Sequence, residues 1–287
     1  MRILIRCIVV GVSVLFPLIA SAECPGDAAV AAFVADFKAA RPSKGLGNDL
    51  STADAECARN KVVKAFEGEV LGRRIGYKAA FSHPNVMKTM KVTEPSWAVM
   101  FDKFMLKNGA TVPVGFGAHT GYEPELVAVV KDAALADART PLEALQHVTH
   151  VVPYLELVDT IISGTNANGL VATNIAFRGG VLGTPVKVEP TQAFLDMLGT
   201  MTVVETFSKD GKEREVGRDT GAALMGNPMN VVLWMAQRLK KNGVTLKPGD
   251  LLDLGGYINP GPMEPGSTVK ASYLGFPGNP TVTVHFK

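Results

Sequence analysis

The chain has 287 residues, 47% of them hydrophobic, with 29 basic and 27 acidic side chains, enough length to bury a full core. The first 22 residues carry two of the basic side chains and no acid, so a chain without them (287 − 22 = 265 residues) balances 27 charges of each sign. That neutrality excludes nucleic acid or an anionic membrane as the main partner, and no stretch has the composition of a disordered or repetitive segment.

Residues 1–22 read as a secretory signal peptide. Arg2 and Arg6 precede an apolar stretch from Ile8 to Ile19, and Ala20-Ser21-Ala22 is a small-x-small cleavage site with no stop-transfer pattern after it. A periplasmic protein with no membrane attachment after cleavage is expected; a retained N-terminal anchor is the minority reading. Glu23 before Cys24 argues against a lipoprotein. Cys7 leaves with the leader, and the remaining pair, Cys24 and Cys57, is expected to form one disulfide in an oxidising compartment. Two buried thiols are the other reading.

Residues 23–71 are expected to form a small helical cap. Asp27 can cap a helix through Ala40, with Val30, Phe33, Val34 and Phe37 on one face, and Arg41-Pro42 ends it. A second helix starts at the capping-box-like Ser51-Thr52-Ala53-Asp54 and runs to about Phe66. Residues 72–287 form the main body, where strands dominate. Strands are expected at Ile75–Phe81, Trp97–Met100, Leu126–Val130 and Val151–Val158, and helices at Pro141–Val148, at Thr191–Leu198, and from Asn227-Pro228 to just before Gly243. Two alternating strands close the chain, one through Val269, Ala271 and Tyr273, the other through Val282, Val284 and Phe286. Many strands without a regular βαβ rhythm imply an α+β fold, a roll or sandwich.

The chemistry concentrates in Glu123-Pro124-Glu125. In a strand, side chains two apart face the same way, so both carboxylates share a face, and Pro124 suggests a strand start or an edge. Glu156 lies inside a second apolar run, where an unpaired carboxylate is costly. One divalent cation would satisfy all three, and ligands that are all oxygen favour a hard ion such as Mg²⁺. Alone, a Glu-x-Glu pair is usually a solvated edge.

Taken in order, Gly76-Tyr77-Lys78, Glu94-Pro95-Ser96-Trp97, Glu123-Pro124-Glu125, Pro153-Tyr154-Leu155-Glu156, Thr173-Asn174, Asn227-Pro228 and Gly249-Asp250-Leu251-Leu252-Asp253 form a series. This series resembles the 2-keto-4-pentenoate hydratase branch of the fumarylacetoacetate hydrolase superfamily. The resemblance implies a mixed β-sandwich roll with an N-terminal cap. It implies a Mg²⁺ or Mn²⁺ site at Glu123, Glu125 and Glu156, with Lys78 as the catalytic lysine. It also implies hydration, decarboxylation or C–C cleavage of a small 2-oxo acid. A homo-oligomer is expected.

The chain departs from the family pattern at five places. Ser96 replaces an aspartate, Ile161 an arginine and Thr173 the first residue of an Asp-Asn pair; Tyr257 replaces a small hydroxyl residue, and Gly121 a basic one. Two functions follow as expectations: a metal-dependent lyase of hydratase or decarboxylase type, or a catalytically weakened periplasmic binding protein for a 2-oxo or dicarboxylic acid. The run Gly115 to Gly121 has the wrong spacing for a dinucleotide loop. No Gly-x-Ser-x-Gly or Cys-x-x-Cys is present. His147 and His150 suit packing, and His119 is the histidine nearest the Glu-x-Glu pair in sequence.

Overall fold

A computed structural model describes residues 23–287, so the expected signal peptide lies outside the described residues. Two helices come first, α1 (Asp27–Lys38) and α2 (Thr52–Phe66). Ser51 accepts the Asp54 N–H at 3.1 Å and so caps α2 as its sequence foretells. The body then runs β1 (Arg74–Ala80), α3 (Pro84–Met90), β2 (Ser96–Phe101), β3 (Met105–Lys107), β4 (Ala110–Val112), β5 (Thr120–Val130), α4 (Pro141–Leu145) and β6 (Val148–Asp159). It continues through α5 (Ala167–Ala172), β7 (Phe177–Leu182), β8 (Val186–Lys187), α6 (Gln192–Thr200), β9 (Thr202–Lys209), β10 (Lys212–Thr220) and α7 (Pro228–Lys241). Four strands finish it: β11 (Leu251–Asp253), β12 (Gly261–Pro262), β13 (Ser267–Leu274) and β14 (Thr281–Phe286).

The strands form two sheets, so the architecture is α+β. A nine-stranded sheet has the path β2-β1-β11-β5-β6-β7-β3, with β12 added beside β5 and β8 beside β6. A five-stranded sheet runs β10-β9-β13-β14-β4. The two strands expected at the end of the chain are present and pair antiparallel, with Val269 opposite Val284 and Ala271 opposite Val282. Tyr122 of β5 stacks on Phe286 of β14 with ring centroids 5.6 Å apart and so joins the two sheets.

The helices expected as a cap share one core with the body. Phe37 and Phe66 have centroids 4.6 Å apart; Phe66 then meets Phe101 of β2, and Phe101 meets Phe177 of β7. Arg59 of α2 is buried with its guanidinium 3.6 Å from the centroid of Trp97 and donates to the Trp97 carbonyl. Cys24 and Cys57 are bonded, with Cα atoms 5.8 Å apart. Among the described residues no helix is long and apolar enough to cross a membrane.

Two expectations need correction, and one hairpin has no counterpart in the sequence reading. Pro124 stands neither at the start of a strand nor at an edge, but in the middle of the central strand β5. Its C=O accepts from Tyr257 N, in the gap between β11, which pairs with Val127–Val129, and β12, which pairs with Gly121 and Tyr122. The missing N–H falls on that interrupted side and removes no ladder bond. The helix expected to reach Val148 stops at Leu145. Val148 and the β-branched residues after it pair with β5 instead, where burial outweighs the weak start of α4. The β9–β10 hairpin was not foreseen. Asp210 and Gly211, with φ of 52° and 72°, make the two-residue turn that matches strand twist.

Candidate metal centre and active site

The central strands line up their polar side chains on one face. Glu123 of β5 lies directly opposite Glu156 of β6. On the other side of β5, Val127 pairs with Asp253 of β11, and Asp253 pairs with Lys78 of β1. Paired residues share a face and residues two apart repeat it, so Lys78, Asp253, Glu125, Glu123 and Glu156 all project the same way. Glu123, Glu125 and Glu156 each present an oxygen within 4.8 Å of the others. Glu125 and Glu156 are 1% and 0% exposed, while Glu123 is half-buried. Lys78 is buried and donates to both oxygens of Glu156, and to the Ile175 carbonyl at 3.4 Å.

Asp253 belongs to this group, although sequence reasoning assigned it no role. It lies between Leu252 and Leu254 in an apolar strand, the same signal that marks Glu156. His83 was also missed. It lines the cavity over the acids, whereas His119 does not, and the His119 N–H instead holds Asp159 at 2.8 Å. His147 binds Asp132 away from the site. Asp159 takes Arg178 at 2.9 Å, and Arg178 covers the Phe37 ring, a contact that ties the first helix to the sheet.

Burial pushes the acid pKa values upward. Glu156 is raised to about 8, by burial first and then by Asp253 and Glu123, against the pull of Lys78. Burial also raises Glu125, Glu123 and Asp253, and Asp253 adds its charge to the rise at Glu125. Burial alone would lower the Lys78 ammonium, but the surrounding carboxylates outweigh it and hold the proton on. A fifth acid, Glu205 of β9, is buried with Oε1 unpartnered and raised to about 7 by burial and by Glu123. Oε2 of Glu125 and Oδ2 of Asp253 are likewise buried without a hydrogen-bond partner. One ammonium cannot neutralise so many acids, and all the donors are oxygens. The set fits a hard divalent cation.

A cavity of about 440 Å³ opens over these groups. Its walls include Val86, Met90, Leu170, Ile175 and Ile258, with Thr160 and Asn259 as polar points. Asn174, Ile175 and Ala176 take positive φ in succession (62°, 51° and 55°), a sparsely populated conformation for side-chain-bearing residues. The turn directs the Ile175 carbonyl onto Lys78, and Asn174 anchors it by binding both the N–H and the C=O of Val99 at 2.9 Å.

The departures from the family pattern have structural explanations in part. Ile161 is packed in the core, and Thr173 donates back to the Leu170 and Gly169 carbonyls of its own helix. Gly121 sits in the tight pairing of β5 with β12, where a Cβ would stand 3.0 Å from the Gly261 carbonyl oxygen.

A 2-keto-4-pentenoate hydratase of Paraburkholderia xenovorans (strain LB400) is 30% identical over 193 residues, covering 66% of this chain and 68% of that protein. The chain belongs to the 2-keto-4-pentenoate hydratase branch of the fumarylacetoacetate hydrolase superfamily. A 4-oxalocrotonate decarboxylase of a Pseudomonas species is 26% identical over 226 residues, covering 78% of this chain and 84% of that protein. The solved 4-oxalocrotonate decarboxylase from Pseudomonas putida G7, complexed with magnesium and adipate, superposes with a TM-score of 0.77 at 22% identity. The match covers 91% of this chain and 97% of that one, which shows that this chain shares the mixed α+β fold of that structure. No protein-family model matches the chain. These relatives are named as enzymes, and the weakened binding protein has no support among them.

Proposed function

We propose that this hydratase-branch member is a metal-dependent lyase that hydrates or decarboxylates a small 2-oxo acid, with Mg²⁺ or Mn²⁺ held by Glu123, Glu125 and Glu156. The observation that carries the reading is the convergence of three carboxylate oxygens within 4.8 Å, under a cavity and beside a buried lysine. When bound, the cation would supply Lewis-acid withdrawal of charge from the ketone of a chelated 2-oxo acid. Lys78, oriented by its hydrogen bonds to Glu156, neutralises the substrate carboxylate and can give or take a proton at the substrate. The Ile175 carbonyl holds the ammonium in place, and the apolar walls formed by Leu170, Ile175 and Ile258 keep bulk water from the reacting carbons.

Turnover of 2-hydroxypenta-2,4-dienoate by the purified chain, followed by loss of diene absorbance, tests this. Activity with Mg²⁺ that disappears with a chelator is the expected result. Tight Mn²⁺ binding without turnover of this acid or of a 2-oxo dienedioate would instead favour a binding protein. The proposal extends to export to the periplasm and a homo-oligomeric state. Export is supported by the leader-like residues 1–22 and by the Cys24–Cys57 bridge, since disulfides persist in oxidising compartments. N-terminal sequencing of the periplasmic protein should begin at Glu23, and light scattering reads the assembly.

A further inference from the structure

One hydrogen-bonded pair in the cavity takes no part in metal binding or in proton transfer at Lys78. His83 precedes α3 as its N-cap, and its Nδ1 accepts the Asn85 N–H at 3.1 Å. Nε2 of the same ring stands 3.1 Å from Oδ2 of Asp219, near the end of β10. A ring nitrogen that accepts from a backbone N–H carries no proton, so this network assigns the neutral tautomer with the proton on Nε2. His83 therefore orients Asp219 without cancelling its charge. Oδ1 of Asp219 accepts the Thr220 N–H at 2.7 Å. Both partners line the cavity that also contains Glu123 and Glu125.

The cations around this cavity are committed elsewhere. Among the described residues lining it, the lysine and arginine are Lys78 and Arg218. Lys78 is held on Glu156. Arg218 adjoins Asp219, but neighbours along a strand face opposite ways. Gly217 and Asp219 share the cavity face, where a Cβ on Gly217 would come within 2.7 Å of Ile258. The Arg218 side chain is exposed and forks onto both oxygens of Glu215 at 2.6 Å. Away from Lys78, the cavity thus offers apolar wall, neutral polar groups such as Thr160 and Asn259, and an oriented anion.

We propose that Asp219 determines specificity, so that the cavity takes a 2-oxo monocarboxylic acid with an uncharged tail and rejects the dicarboxylic acid of the same length. The inference rests on reading the carboxylate cluster as a 2-oxo acid site, and it names the substrate class of that site. The first carboxylate of either acid is satisfied at the metal-binding face and Lys78. A second carboxylate would meet Asp219 with no free cation beside it, and like charges in a partly desolvated site repel strongly. His83 is a positioning residue in this scheme.

Calorimetry on the Mn²⁺-loaded full chain with 2-oxohexanoate and 2-oxohexanedioate, matched in length, tests it. The monoacid is expected to bind at least about tenfold more tightly. Asp219→Asn keeps an oxygen to accept from His83 Nε2–H, and is expected to narrow the ratio to within about threefold, chiefly through tighter binding of the dioate. A Mn²⁺ titration of the variant verifies that it is folded. Equal or tighter dioate binding by the wild type, or a ratio that Asp219→Asn leaves unmoved, overturns the inference while the 2-oxo acid reading stands. Failure of both acids to bind overturns that reading, and the inference with it.

Discussion

Glu125 and Lys78 share a cavity wall, yet their loss should have opposite signatures. Glu125→Ala removes an oxygen donor, and Mn²⁺ affinity should fall by more than about a hundredfold, beyond the usual loss from altering a residue behind the ligands. Lys78→Ala removes no donor. It should keep Mn²⁺ binding and lose turnover, because the substrate carboxylate and the transferred proton lose their partner. Calorimetry with Mn²⁺ on both variants separates the two outcomes. If Glu125→Ala bound metal as tightly as the wild type, the carboxylate cluster would not be the metal site. At this scale the sequence was informative wherever an acid stood inside an apolar run, as at Glu156, and the same rule would have found Asp253. It was silent on His83, because a histidine at a helix N-cap is ordinary until Asp219 is placed 3.1 Å away.

The bridge between Cys24 and Cys57 spans 33 positions and ties the start of the chain to α2. A loop of that size is worth about 4 kcal/mol, so Cys57→Ser should destabilise the fold by roughly that amount. Hydrogen exchange should quicken most in α1, which then depends on the packing of Val30, Phe33 and Phe37, the Asp27–Lys61 ion pair and Arg178, and least in β5 and β6. Thiol labelling of the unreduced, denatured wild-type chain without its leader should find no free thiol; two labelled thiols would reject the bridge. Helices and alternating strands were legible where caps and periodicity agree, as in α2, α7, β13 and β14. The β9–β10 hairpin escaped because β10 is largely exposed and has no apolar alternation, although Asp210-Gly211 was a turn signal in plain view. The extent of β5 and the place of Pro124 depended on where β11 ends and β12 begins, which no local pattern reports.

For the whole molecule, the buried acids should set how metal-free stability responds to pH. Carboxyls near 4.5 in the unfolded chain are released by neutral pH, whereas folded Glu156 holds its proton up to about 8, and Glu125, Glu123 and Asp253 are also raised. The folded state therefore binds more protons between these limits. Metal-free stability should fall as pH rises from about 5 to 8, by on the order of 1 kcal/mol per unit for Glu156, with Glu125, Glu123 and Asp253 acting in the same direction. Lys78 is charged in both states across that window and adds no slope. Mg²⁺ should restore stability at pH 8, by about 2.7 kcal/mol at a hundredfold excess over its Kd. Thermal melts with and without Mg²⁺ at several pH values check both; a metal-free melting point that rises toward pH 8 would mean the acids are not buried as a group. The sequence by itself determined the chemistry available: an acid pair on one strand face, a further acid in an apolar strand, a lysine in an ordered motif and two cysteines to pair. Side-chain alternation and the cost of burying charge are local rules, and they act within a few residues. Tertiary structure alone decided which of these groups meet. Lys78 reaches Glu156 across 78 positions, and Asp219 reaches His83 across 136. Such meetings depend on the register of strands from distant parts of the chain, and that register is settled by how the two sheets and the N-terminal helices bury their apolar faces together.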